Sequence, residues 1–255
     1  HPTGREARFQ EDLADFQMLR HQPGPNSNLL VGDGTLPQTI TGTVTAAVIQ
    51  TGGNMFTMWP RVESRVGTAS TTAVAGFRGS GTVVRVGREA GIPGGFDFVS
   101  IWGLAGFTMP ATGRACCGLL NTTAVPTDVE PSTLLNGIWM GWDAADTNVQ
   151  IMHNDGTGAA TKIDLGASFP VPTAPATNIY MLELYSPNNL TQSVEYRVVR
   201  FNLTGRGVAA EATGTITTNL PATTTLLANR TWVSVGGTSS SIGVATFGTA
   251  IKLEY

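Results

Sequence analysis

The chain has 255 residues and a net charge of −3, and only 13% of its residues are charged, against roughly 25% in an average soluble domain. No apolar run reaches the roughly 20 residues of a membrane span; the mildly acidic balance without a basic stripe argues against nucleic-acid binding, which depends on neutralising a phosphate backbone; and β-branched and aromatic residues recur too regularly for disorder. A chain this long buries about 70–75% of its unfolded surface without staples, as one large domain or one domain with a small appendage.

The charges crowd into residues 1–22, HPTGREARFQEDLADFQMLRHQ. Phe9, Leu13 and Phe16 follow a four-then-three spacing, which puts them on one helical face, with Arg20 at the next seam position. This predicts a short N-terminal helix that either packs on its own domain or continues a helical bundle upstream. The stripe would otherwise be exposed, so it is expected to help trimerisation. The chain starts at His1 rather than Met, as a fragment or processed product does. Pro23-Gly24-Pro25-Asn26-Ser27-Asn28 then ends the helix, because Pro fixes φ and Gly permits a turn. Residues 1–28 therefore read as a helical stub and Pro/Gly linker, and residues 29–255 as a β domain.

The β reading rests on alternation. The tracts 39–45 and 213–225 are Thr-rich and suit extended structure with a wet face. Phe96 to Trp102 is apolar on both faces, as an inner strand is. Cys116 and Cys117 are adjacent, so a strand points them to opposite faces as two small apolar residues, not as a bridge. Trp139 and Trp142 also fall on opposite faces of one strand, so at most one is core unless both faces are covered. Val149, Ile151 and His153 alternate with Gln150 and Met152. Further on, Tyr180, Leu182 and Leu184 alternate with Met181, Glu183 and Tyr185, and Val194, Tyr196 and Val198 with Glu195 and Arg197. Trp232 opens a strand-like run, and Ile251, Leu253 and Tyr255 close the chain in alternation with Lys252 and Glu254. Turn signals at Asp33-Gly34, Gly52-Gly53, Gly94-Gly95, Asn154-Asp155-Gly156, Pro187-Asn188-Asn189 and Gly236-Gly237 punctuate the runs. Many short strands without helices between them predict an all-β antiparallel sandwich or barrel.

Signatures of catalysis are sparse. The nucleophile elbow, the phosphate-cradling loop and the His-Glu-x-x-His zinc motif are all missing from the sequence. A Ser-His-Asp triad would have to use His153, which flanks a turn. Glu183 and Glu195 sit on neighbouring predicted strands, where a glycosidase pair would need two acids about 5–9.5 Å apart, but their alternation with apolar residues assigns them to a solvated outer face. The densest polar cluster runs from Trp142 through Asp143, Asp146 and Asn148 to His153, Asn154 and Asp155. Its oxygens are of the kind that sugar hydroxyls or Ca²⁺ use, and also of the kind that forms turns. The spacing is not that of an EF-hand. These seven residues are the candidate receptor-binding set; no catalytic residue, metal site or cofactor is assigned. Sequons at Asn121, Asn189, Asn202 and Asn229 are what a Thr-rich chain produces by chance.

Long phrases carry a resemblance. Gly118-Leu119-Leu120-Asn121, Ala124 to Ser132, Gly141 to Asn148, Gln150 to Gly158, Thr161 to Pro170, Thr217 to Pro221 and Trp232 to Gly237 together resemble the C-terminal region of tailed-bacteriophage tail-fibre proteins, over roughly residues 80–255. The resemblance implies a lectin-like β-sandwich of jelly-roll type that assembles as a homotrimer at the end of a fibre shaft. It would act on the virion, outside the host cell, and bind a host-surface polysaccharide or pilus, with no nucleic-acid partner and no membrane insertion. The rival readings are a virion depolymerase that cuts host glycan, dependent on Glu183 or Asp143, and a structural connector or decoration protein of the virion.

Overall fold

The computed structural model describes residues 18–23, 30–31, 38–46 and 49–254, with side chains described from residue 39 onward, those of 46 excepted. Sixteen strands form two antiparallel sheets among these residues. The first sheet contains β1 (Met18–Pro23), β2 (Leu30–Val31), β4 (Thr43–Ala46), β5 (Val62–Ser70), β7 (Phe96–Leu104), β12 (Tyr180–Ser186), β13 (Val194–Asn202), β14 (Gly207–Ile216) and β16 (Ser240–Leu253). It runs in the order β14-β13-β12-β7-β16-β1-β2, with β5 and β4 branching from β16. The second sheet contains β3 (Gln38–Thr41), β6 (Val74–Gly79), β8 (Arg114–Leu120), β9 (Gly137–Trp142), β10 (Gln150–Asn154), β11 (Thr161–Asp164) and β15 (Ala228–Ser234), in the order β11-β10-β9-β8-β15-β6-β3. The all-β sandwich expected from alternation is the fold observed.

The inward faces interdigitate as the pattern requires. Tyr180, Leu182, Leu184, Val194, Tyr196 and Val198 all enter one core with Phe96, Phe98, Trp102, Ile138, Met140 and Trp142. Trp102 from the first sheet stacks on Trp142 from the second, with ring centroids 5.7 Å apart and planes 15° from parallel. Val244 and Ile251 both face this core although their offset along the chain is odd. A bulge between Thr246 and Gly248 absorbs the extra residue, Phe247, and restores the phase of β16 against β7.

The short helix expected at the N-terminus falls mostly outside the described residues, and Phe9, Leu13 and Phe16 with it. Its expected last turns are corrected: Met18–Pro23 is a strand, paired antiparallel with β16 through His21 opposite Thr249 and Leu19 opposite Ile251. The edge left open beside the second half of β16, past the end of β5, supplies the backbone partners that decide this. The one α-helix among the described residues, α1 (Met55–Met58), lies on the outer side of the first sheet. Asn54 caps it by accepting from the Thr57 N–H at 3.2 Å.

The second sheet is covered on its outer side as well. The segment 121–136 crosses it as a strap. Arg78 Nε donates to Thr123 O (3.0 Å), Arg230 Nη2 to Ala124 O (2.7 Å), and Arg114 to Asp128 (3.1 Å) and Glu130 (2.9 Å). Asp128 also accepts from the Gly236 and Gly237 N–H groups. Beneath the strap lies a second core of Val74, Cys116, Leu120, Trp139, Met152 and Trp232, with Leu134 and Ala160 against it. Trp139 and Trp142 are therefore both core, because both faces are covered. Cys116 and Cys117 are free and buried on opposite faces of β8, one in each core.

Candidate functional site

The predicted polar cluster separates into two groups at opposite ends of β10. Asn148 and Asp155 bracket that strand, roughly 20 Å apart at about 3.3 Å per residue.

The first group is built on the β9–β10 loop. Asp143 follows directly from β9, and its Oδ1 accepts from the Ser132 N–H (2.9 Å). Asp146 turns the loop back by accepting from the Asp143 N–H (2.8 Å), and Glu130 accepts from the Ala144 N–H (3.0 Å). Lys162, on the outer face of edge strand β11, places its ammonium between the two aspartates, 2.9 Å from Asp143 and 2.7 Å from Asp146. Burial pushes the Asp143 carboxyl up, but the Ser132 and Lys162 hydrogen bonds outweigh it and hold the pKa below the usual carboxylate range. Burial likewise lowers the Lys162 pKa, and its bonds to Asp146 and Asp143 outweigh that and raise it. Asn148 Nδ2 donates to Asp164 (3.3 Å), which accepts from the Gly166 N–H (2.7 Å) and is held below its ordinary pKa by that bond first. Carboxylate, amide and ammonium thus share one half-exposed patch on a loop fixed at both ends. This donor and acceptor set suits the hydroxyls of a sugar. Asp143 and Asp164 are held as bases, so neither is poised to give up a proton at neutral pH.

The other four members of the predicted set are differently placed. Trp142 is fully buried, and its Nε1 donates to Gly113 O (3.1 Å). His153 is buried on the inner side of β10 with Nδ1 3.2 Å from Asn219 O, and burial lowers its pKa. Asn154 spends all four hydrogen-bonding positions on its own turn and the strap. Its Oδ1 accepts from Asn136 and Gly156, and its Nδ2 donates to Thr157 O and Gly158 O. These three position the loops and present no free polar group outward. Asp155 is exposed, accepting from the Thr157 N–H and hydroxyl (3.0 and 2.7 Å), which lower its pKa.

Sequence reasoning missed Lys162, Asp164 and Glu130. The signal for the first two was the alternation Thr161-Lys162-Ile163-Asp164, which sets both on one face of a strand. Glu130 reaches the site only through the strap. Elsewhere, Glu183 is on the outer face, as expected, paired with Arg197 (3.1 Å), which also holds Glu211 (2.9 Å) across the next strand. Glu195 lies two pairs along, opposite Tyr185. The sequon residue Asn229 is buried. Burial raises both cysteine thiols, Cys117 to about 11, so both stay protonated and unreactive at neutral pH.

No family model and no curated protein matches the sequence. Among solved structures, the chain is similar to peanut lectin at 11% identity and a TM-score of 0.53, over 92% of this chain and 95% of that one. It is similar to the lectin UEA-II complexed with galactose at 9% identity and 0.52, over 93% and 98%. The same holds for arcelin-5, a lectin-like defence protein from Phaseolus vulgaris, at 6% identity and 0.52, over 93% and 98%. The likeness is one of fold: the chain is a lectin-like β-sandwich over nearly its whole length.

Proposed function

We propose that the chain is a non-catalytic recognition module that binds a glycan on the bacterial surface, as the receptor-binding tip of a bacteriophage tail fibre. The observation that carries this reading is the fold. A lectin-like sandwich accounts for 93% of the chain at the level at which it matches a lectin holding galactose. The resemblance of residues 80–255 to tail-fibre C-terminal regions supplies the setting. The Asp143, Asp146, Asn148, Lys162 and Asp164 patch is the surface that contacts sugar. Its Asp143 and Asp164 carboxylates are held ionised, which supports binding without turnover. Presentation as a trimer on a shaft multiplies weak single-site affinities into firm attachment.

The test is an array of bacterial surface polysaccharides and pilins probed with labelled protein. Saturable binding to one polysaccharide, competed by its free oligosaccharide and weakened about tenfold by Asp146→Asn, is the expected result. Binding to pilin alone, or new reducing ends released from the polysaccharide, would overturn the reading. So would failure both to bind any array member and to block phage adsorption.

A further inference from the structure

Arg78 and Arg230 stand directly opposite one another across β6 and β15. Both project to the outer side of the second sheet, two residues along from Gly76 and Trp232. Arg230 is 4% exposed. The partners of the two guanidiniums are all neutral: Thr123 O and Thr41 Oγ1 for Arg78, and Ala124 O for Arg230. The nearby strap carboxylates, Asp128 and Glu130, are taken by Arg114. Among the described residues no carboxylate forms an ion pair with either arginine. Burial and the Arg78 charge both act against the Arg230 cation, and the neighbouring Cys116 thiol stays protonated. A desolvated cation beside a like charge, without a counter-charge, costs several kcal/mol by general experience.

A second observation points to the same place. Gly118 on β8 faces Arg230 on one side and Trp139 of β9 on the other. Having no side chain, it places nothing between these two on that face. Arg230 Nε and Trp139 Nε1 are both buried N–H donors without an acceptor. Two orphaned donors and an unbalanced positive charge, on one face under one strap, share a single requirement: negative charge with several lone pairs.

We propose that the strap side of the second sheet is an oxyanion site, in which Arg78, Arg230 and the Trp139 indole bind a sulfate, phosphate or carboxylate group. The strap segment at Thr123 and Ala124 crosses both guanidiniums and accepts one hydrogen bond from each, so the group it admits is small. Arg78 is the more exposed of the two arginines. This inference stands apart from the sugar-contacting patch on the β9–β10 loop and does not depend on it. The oxyanion arrives either as a free ion or as the acidic substituent of a glycan.

The experiment is a titration of the ¹⁵N-labelled full chain, followed at the indole N–H signals. The Trp139 signal is the one lost in Trp139→Phe. Sodium sulfate, inorganic phosphate and glucuronic acid are added separately, against sodium chloride at matched ionic strength. The proposal expects the Trp139 signal to move saturably with at least one oxyanion and not with chloride. It expects the midpoint to weaken about tenfold or more in Arg230→Met. Movement with sulfate or phosphate alone identifies a free ion, and movement with glucuronic acid a glycan-borne acid. An unmoved Trp139 signal, an equal response to chloride, or an unchanged midpoint in Arg230→Met overturns it. Should Arg230→Met not fold, Arg78→Lys is the substitute: it keeps the charge, removes the guanidinium fork, and must weaken the midpoint. Because the readout is local, failure here leaves the glycan-array result standing, and the reverse holds too.

Discussion

His153 shows how one residue type changes meaning with its address. In sequence it flanks a turn and belongs with the polar cluster. In the structure it is a buried side chain whose ring nitrogen meets the Asn219 carbonyl, and burial holds it neutral. The unfolded chain takes up a proton near the ordinary histidine value of about 6.5. The folded chain resists that proton, so the unfolded state binds more protons as pH falls through that value, and stability is lost on acidification. Urea denaturation at pH 7 and pH 5 checks this: His153→Gln should lose less stability between the two than the parent. An equal loss would show that the carboxylates alone carry the acid sensitivity. Asp143 and Asp146 were legible as oxygen-bearing turn formers, and they do form the turn. Their shared cation was not legible, because Lys162 is remote in sequence and arrives only through the pairing of β10 with β11.

Strands β12 and β13 were readable because each has one wet face, so alternation and burial coincide. Strand β10 was only half readable. Gln150 and Met152 sit at the positions that alternation gives to solvent, yet both are buried. The cause is the strap, a non-local cover whose own sequence, with Pro126 and Pro131, reads as loop. Met18–Pro23 misled for a related reason: an open edge beside β16 outweighed a local helical period. The aromatics under the strap are accommodated by glycines on the paired strands. A Cβ at Gly76 would lie 2.6 Å from Trp232 Cβ and from Thr231 O, both in the β15 strand paired with it. Gly76→Ala should therefore destabilise the chain by about 1–3 kcal/mol. Gly81→Ala, whose Cβ would meet nothing within 4 Å, should be close to neutral. Chemical denaturation of the two variants against the parent measures the contrast, and equal midpoints would contradict the packing argument.

At the scale of the molecule, two sheets and a strap make three layers from a chain with few charges. The ionic contacts are correspondingly gathered into small clusters, such as Arg61 and Arg65 about Glu63, Arg114 about Asp128 and Glu130, and Lys162 about Asp143 and Asp146. The sandwich class was legible from periodicity, whereas strand order was not, since β16 pairs with strands drawn from the start and the middle of the chain. The two layers that share the main core meet through the stacked indoles of Trp102 and Trp142, one from each sheet. Two such chromophores, 5.7 Å apart and 15° from parallel, couple their electronic transitions. The native protein should accordingly show an exciton couplet in circular dichroism that Trp102→Phe abolishes while the amide bands persist. That couplet gives an optical gauge of the seam itself: on heating, its disappearance ahead of the amide signal would mean the layers part before they unravel, and simultaneous loss would mean they are one cooperative unit.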